Sequence, residues 1–243
     1  MKSAVVTPAA AWTAMFAPWR APKREVLRRL DEVMSGSLLL VIVTVACVGA
    51  AMADQAARQA TRLLGDQSFI GPEYIVLGVQ EFGPLMVCIT LAMRVGAGFS
   101  AELAALSAEQ TLGALQLFKT DPVKRLLTPM AVALPLGAVA LGLIGIVVWE
   151  LCGIVTLMLR SQVNPFTFLH PEAVTSSMLV LSLAKTASFG VLIYLGAATA
   201  ALRASAVSSG SEAVGRATQH AVVLAVLFCL LANLVIDILW FLA

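Results

Sequence analysis

Three ionisable residues stand inside long apolar runs of this chain: Glu81, Lys185 and Asp237. A charge surrounded by hydrocarbon is expensive, so each must pair, face a cavity, or go neutral. Their chemistry is recognition and gating by charge rather than bond making. Glu81 lies about seven residues into its run, roughly 10 Å deep at ~1.5 Å per residue. Three positions later comes Pro84, which removes a helical hydrogen bond and can open space beside the carboxylate. A carboxylate there suits a polar-headgroup contact or a gate. Equally, it suits a structural partner for an Arg or Lys of another helix. Lys185 can pair with Asp237 or with Glu81, and the spacing does not choose. Asn233 lies one helical turn before Asp237 on the same face. Arg94 ends the run that holds Glu81 and can snorkel to the interface. A second polar group follows it: Glu102, Glu109, Gln110, Asp121 and Pro122.

Covalent chemistry has no visible home. A phosphate-binding loop ends in Gly-Lys-Ser/Thr, and none of the five lysines (Lys2, Lys23, Lys119, Lys124, Lys185) follows a glycine. His170 and His220 are isolated, and no HExxH or GxSxG motif is present. Cys47, Cys88, Cys152 and Cys229 all lie in apolar runs without CxxC or metal-ligand spacing, as small buried helix residues would. The chain is thus expected to bind no cofactor or metal of its own. Its net charge is +2 with no concentrated basic tract, which gives no reason to invoke nucleic acid.

The elements that position these residues are helices in a membrane. Hydrophobic residues make up 60% of the chain and charged ones 12%, against about 25% charged in soluble domains. Residues 1–34 form an N-terminal unit without an evident cleavable signal. In it Val26, Leu27, Leu30 and Val33 recur at helical spacing while Arg24, Arg28 and Arg29 fall elsewhere. That pattern predicts a basic amphipathic helix on a membrane surface, from Pro22 to about Val33, with Trp12, Phe16 and Trp19 as anchors. A soluble helix packed on a partner is the competing reading.

Residues 35–243 form the transmembrane unit. Its spans are Ser35–Ala53, Tyr74–Met93, Pro129–Trp149 (extendable through Leu151–Leu159), Ala173–Leu202 and His220–Ala243. The expected architecture is an all-α integral membrane protein, five transmembrane helices preceded by the interfacial helix. Lysines and arginines set its orientation. Twelve lie in residues 1–34 and the second-to-third and fourth-to-fifth connections, against three on the other side (Arg58, Arg62, Arg160). The positive-inside rule puts the N-terminus in the cytoplasm and the C-terminus outside.

The polar connection, about residues 95–128, can then be read as a cytoplasmic elbow. Ser107–Phe118 is expected to be helical, with Leu112, Leu115 and Phe118 on one face. Lys119-Thr120-Asp121-Pro122 ends it, because the residue before proline avoids the helical region. Asp121 can cap a following helix with Pro122 in its first turn. On composition alone the segment is equally an ordinary solvated loop.

The motifs of this region resemble those of the MlaE/YrbE permease family, the membrane subunits of ABC transporters that move lipids with MCE-domain proteins. The resemblance rests on Gln80-Glu81-Phe82-Gly83-Pro84, Met93-Arg94-Val95-Gly96-Ala97, Ala101-Glu102-Leu103-Ala104, Ala108-Glu109-Gln110, Asp121-Pro122 and Pro129. Lys185, Phe189-Gly190 and Val214-Gly215-Arg216-Ala217-Thr218 add a weaker echo. Gln80 stands where the family carries Arg, and Ala108 where it carries Thr. The resemblance implies a permease in the bacterial inner membrane that does no chemistry itself. A cytoplasmic ABC ATPase would use ATP and engage Glu102, Glu109, Gln110, Asp121 and Pro122. A second permease copy or a paralogue would complete a dimer. A periplasmic MCE-domain protein, expected as a hexamer, would exchange phospholipid or another hydrophobic lipid along a path lined by Glu81, Gln80, Pro84, Leu85, Ile89 and Lys185. The competing reading is a small ATPase-independent transporter or membrane scaffold, which the deep charges suit equally well. Five spans without an internal repeat argue mildly against the inverted-repeat carriers.

Overall fold

A computed structural model of the chain describes residues 8–16, 21–65, 70–109, 111–112, 121–161, 171–207 and 210–242. A short helix, α1 (Pro8–Met15), precedes α2 (Lys23–Leu64). A second long helical rod follows. It joins α3 (Ile70–Leu77), a π turn (Gly78–Phe82), α4 (Gly83–Leu91), a second π turn (Ala92–Gly96) and α5 (Ala97–Ala108). A third π turn (Val123–Leu127) leads into α6 (Thr128–Ser161). The remaining helices are α7 (Ser176–Val207) and α8 (Gly210–Leu242), and no strand occurs among the described residues. Five of the helical stretches are long and apolar enough to cross a membrane.

The long helices overrun their apolar runs. With 42 residues, α2 extends about 63 Å at ~1.5 Å per residue, twice a ~30 Å hydrocarbon core. No proline interrupts it after Pro22, and it stops at Gly65, whose φ of 71° only glycine adopts cheaply. The stretch expected as a separate amphipathic helix to Val33 is therefore the first turns of α2, continuous with the first span. The N-terminal helix that does stand apart is α1. It packs on α7, where Tyr194 donates its hydroxyl to the Ala11 carbonyl at 3.2 Å. Arg29 also departs from expectation. It lies on the Val26–Val33 face at helical spacing and is buried, whereas Arg24 and Arg28 are exposed.

The second rod takes in the first part of the segment read as an elbow. Residues 97–108, read as part of a polar connection, are α5. Its Phe99, Ser100, Leu103 and Ala104 are buried, and the helix packs on α7 and α8. The helix expected over Ser107–Phe118 is broken by a turn at Glu109, and residues 113–120 lie outside the described ones.

Packing runs α2 on α6, α6 on α7 and α7 on α8. Lipid tails are as apolar as leucine, so close fit rather than hydrophobic exclusion holds such helices. The buried face of α8 is Ala213, Ala217, Ala221, Ala225 and Cys229, small residues one turn apart. On α7, Gly190 lies so near α6 that a Cβ there would fall 2.6 Å from Pro135 Cα.

Candidate functional site

Lys185 of α7 has no exposed surface. Its ammonium is surrounded by oxygens from the second rod and from α8. Nζ donates to Glu81 Oε1 at 2.9 Å and to the Gln80 carbonyl at 3.0 Å, and it pairs with Asp237 Oδ1. Asn233 closes the ring, donating from Nδ2 to Glu81 Oε2 and to Asp237 Oδ2, each at 2.9 Å. Lys185 therefore pairs with both candidate acids rather than one.

The backbone explains why the site forms here. Pro84 has no N–H to offer the carbonyl four residues back, that of Gln80. The break expected at Pro84 takes the form of the first π turn, which carries Gln80 and Glu81 just before it. Such turns concentrate at functional sites because they release groups from the regular ladder. An aromatic stack anchors this turn. Tyr74 and Phe82 lie against Trp149 of α6 with centroids 5.0 and 5.1 Å away. The Tyr74 hydroxyl donates to the carbonyls of Gly49 (2.9 Å) and Trp149 (3.2 Å), tying α3 to α2 and α6.

The cluster is shielded on one side and open on the other. Side-chain exposure is 33% at Glu81 and 32% at Asp237. Next to them α8 turns Leu230, Leu231, Leu234 and Ile238 outward. Two carboxylates and one ammonium meet at that open edge. The arrangement can bind a polar or cationic group. Of the other residues expected near it, Pro84 is buried while Gln80, Leu85 and Ile89 are half-buried. Among the described residues, no three His, Cys, Asp or Glu side chains converge as a metal site.

A second polar group lies along the rod beyond α4. Arg29 of α2 reaches Glu102 of α5 through two hydrogen bonds, at 2.8 and 2.5 Å, and also touches Glu32 at 3.1 Å. Glu102 is thus already engaged within the chain. Arg94 donates to Ser37 Oγ at 3.2 Å. Asp121 caps the following helical segment as expected, accepting from the Val123 amide at 3.0 Å, and Pro122 is buried in its first turn. Glu109 is exposed at the end of α5, and Gln110 lies outside the described residues. Sequence reasoning missed the Arg29–Glu102 pair, whose only signal was that Arg29 shares a helical face with Val26 and Val33. It also passed over Glu150 of α6, an acid at the edge of an apolar run.

Long apolar helices and charges folded inward define a multi-pass, all-α membrane protein. The chain belongs to the Permease MlaE family, whose sequence profile matches residues 26–239. It is similar to a probable ABC transporter permease protein of Synechocystis sp., 26% identical over 224 residues, 91% of this chain and 84% of that one. A probable ABC transporter permease protein of Rickettsia prowazekii is 28% identical over 223 residues, 89% of this chain and 83% of that one. The chloroplastic protein TRIGALACTOSYLDIACYLGLYCEROL 1 of Arabidopsis thaliana is 26% identical over 228 residues, 90% of this chain and 62% of that one. The chain is accordingly an ABC transporter permease of the MlaE family.

Proposed function

We propose that the chain is the membrane half of a lipid transporter. It moves phospholipid or another hydrophobic lipid between the bacterial inner membrane and a periplasmic MCE-domain protein. Two copies, or this chain and a paralogue, form the transmembrane unit, and a cytoplasmic ATPase hydrolyses ATP for them. The observation that carries this reading is the Lys185 cluster. Its closed side holds three helical segments together, and its half-open acids lie beside an uncovered apolar face of α8. A polar collar next to an apolar wall suits an amphiphile: a headgroup meets Glu81 and Asp237 while the chains lie along leucine-rich surface. The name of the Arabidopsis relative is that of a glycerolipid, which agrees with a lipid cargo. The end bearing Asp121, Lys124 and Arg125 faces the cytoplasm by the charge asymmetry, where an ATPase can grip it.

Affinity purification from native membranes tests the reading. An ATPase should co-purify, and the reconstituted assembly should transfer fluorescent phospholipid only with hydrolysable ATP. Transfer that proceeds without any ATPase would overturn it in favour of an independent carrier.

A further inference from the structure

Thirteen residues beyond Glu81 on the same rod, about 20 Å at ~1.5 Å per residue, a cleft of about 300 Å³ opens. It lies between α2, the second π turn, α5 and the start of α6. Four charged side chains line it: Arg29, Glu32, Arg94 and Glu102. Phe99 and Met130 form an apolar wall.

The four charges sum to zero, but they are not evenly paired. Arg29 and Glu102 neutralise one another, and Glu32 is shared between Arg28 and Arg29. Arg94 has no carboxylate partner among the described residues, and a single bond to Ser37 uses one of its five N–H donors. Its guanidinium rests on Gly36, where a Cβ would come 2.1 Å from Nη2. Arg29, only 6% exposed, keeps its Nε buried without a hydrogen-bond partner. The buried Arg29 Nε does not reach the cleft, so the free donors there are those of Arg94, and unused guanidinium donors beside a cleft call for an oxyanion. The depth narrows the choice. Gly36 and Ser37 begin the first apolar run and Arg94 ends the second, so the cleft lies where hydrocarbon gives way to water. Lipid phosphates lie at that level.

We propose that this cleft binds the phosphate of a membrane phospholipid, with Arg94 on the phosphate oxygens and the Phe99–Met130 wall against the glycerol. A volume at the low end of the ~300–1,000 Å³ of ligand pockets admits a headgroup and not a whole two-chain lipid. The acyl chains therefore remain in the bilayer. The site is distinct from the Lys185 cluster, and it does not rest on the transport reading. Only naming the leaflet as cytoplasmic rests on the orientation above.

The test uses the full chain in dodecylmaltoside micelles, which carry no phosphate, with a photo-crosslinking residue at position 98, which lines the cleft and has open space at its Cβ. The probes are phosphatidylglycerol and a diacylglycerol with the same chains. Phosphatidylglycerol should label position 98 well above diacylglycerol. Arg94→Gln should cut that labelling about tenfold, the scale of one charge-assisted hydrogen-bonded contact, and Arg94→Lys should retain much of it. Gly36→Ala supplies a second variant with the charge kept, since it displaces the guanidinium from its seat, and it should lower labelling too. Equal labelling by diacylglycerol, or labelling indifferent to both Arg94→Gln and Gly36→Ala, overturns the proposal. Complete displacement of phosphatidylglycerol by millimolar inorganic phosphate overturns the lipid assignment and makes this a soluble-anion site.

Discussion

Pro84 and Lys185 meet at one carbonyl. The proline withholds the helical N–H that the Gln80 oxygen would otherwise accept, and Lys185 Nζ donates to that oxygen at 3.0 Å. In a bilayer every such group must be satisfied inside the protein, so a deleted backbone donor and a buried ammonium solve each other's problem. The first π turn aims Glu81 at the same nitrogen, and α8 brings Asp237 and Asn233 from the far side.

Removing Lys185 should therefore damage the fold more than removing either acid. Lys185→Met leaves two carboxylates facing each other, and breaking a buried pair in this way costs about 3–5 kcal/mol. The variant should accumulate poorly or lose most of its thermal stability in detergent. Adding Glu81→Gln and Asp237→Asn should restore much of it. Glu81→Gln alone should fold, because Lys185 retains Asp237 and the Gln80 carbonyl, and should impair lipid transfer instead. Melting followed by size-exclusion fluorescence reads all three. A fully stable Lys185→Met would mean the cluster does not hold the helices.

Helix fit gives a second, independent handle. Gly190→Ala places a methyl 2.6 Å from Pro135 Cα, and neither helix backbone can give way locally. Overpacking of this kind costs about 1–3 kcal/mol. Gly215→Ala meets nothing within 4 Å in mid-helix and should be neutral or stabilising by up to about 1 kcal/mol. Gly190→Ala should therefore melt lower while Gly215→Ala melts at or above the parental temperature, and equal shifts would show that α6 and α7 are not in that contact.

Glu150 buries both carboxylate oxygens without a partner among the described residues. An unmet buried polar group costs about 1–3 kcal/mol, so Glu150→Met should leave the permease at least as stable as the parent. Marked destabilisation in the assembled transporter would instead reveal a cationic partner on another chain.

The apolar runs and their order were legible because hydrocarbon length is a local property of the sequence. So was the need of Lys185 to pair, face a cavity or go neutral, since the cost of an isolated ammonium does not depend on fold. Which carboxylate it meets required three helices in place. The π turns were not legible, because they depend on one inserted residue per turn and not on composition. The ends of α2 and α5 were missed for another reason. Arg29 read as part of the basic side of a surface helix and Glu102 as part of a coupling connection, but they satisfy each other across 73 residues, which lets polar turns continue as packed helix.

The proposed orientation rests on the excess of basic residues on one side. A reporter fused after Ala243 should read as periplasmic and one inserted near Asp121 as cytoplasmic. The opposite pattern would remove the surface to which an ATPase is assigned.

The final prediction separates coupling from structure at that surface. Asp121 is exposed, yet its Oδ1 holds the Val123 amide at 3.0 Å and its other oxygen lies 3.9 Å from Lys124 Nζ. Asp121→Asn keeps an acceptor in place and should preserve both the cap and ATPase attachment. Asp121→Ala loses the cap, about 1 kcal/mol, and should loosen the segment ahead of α6 so that ATP hydrolysis no longer drives transfer fully. Glu109→Lys reverses an exposed charge at the end of α5 and should weaken ATPase attachment with melting unchanged. Glu102→Gln behaves differently, because that carboxylate is bound to Arg29. It should lower stability, with hydrolysis and transfer falling together. The measurements are ATPase retained on the purified permease, and lipid transferred per ATP hydrolysed. If Asp121→Ala and Glu109→Lys leave both ratios at the parental value, residues 109–121 form an ordinary solvated connection and the ATPase grips the permease elsewhere.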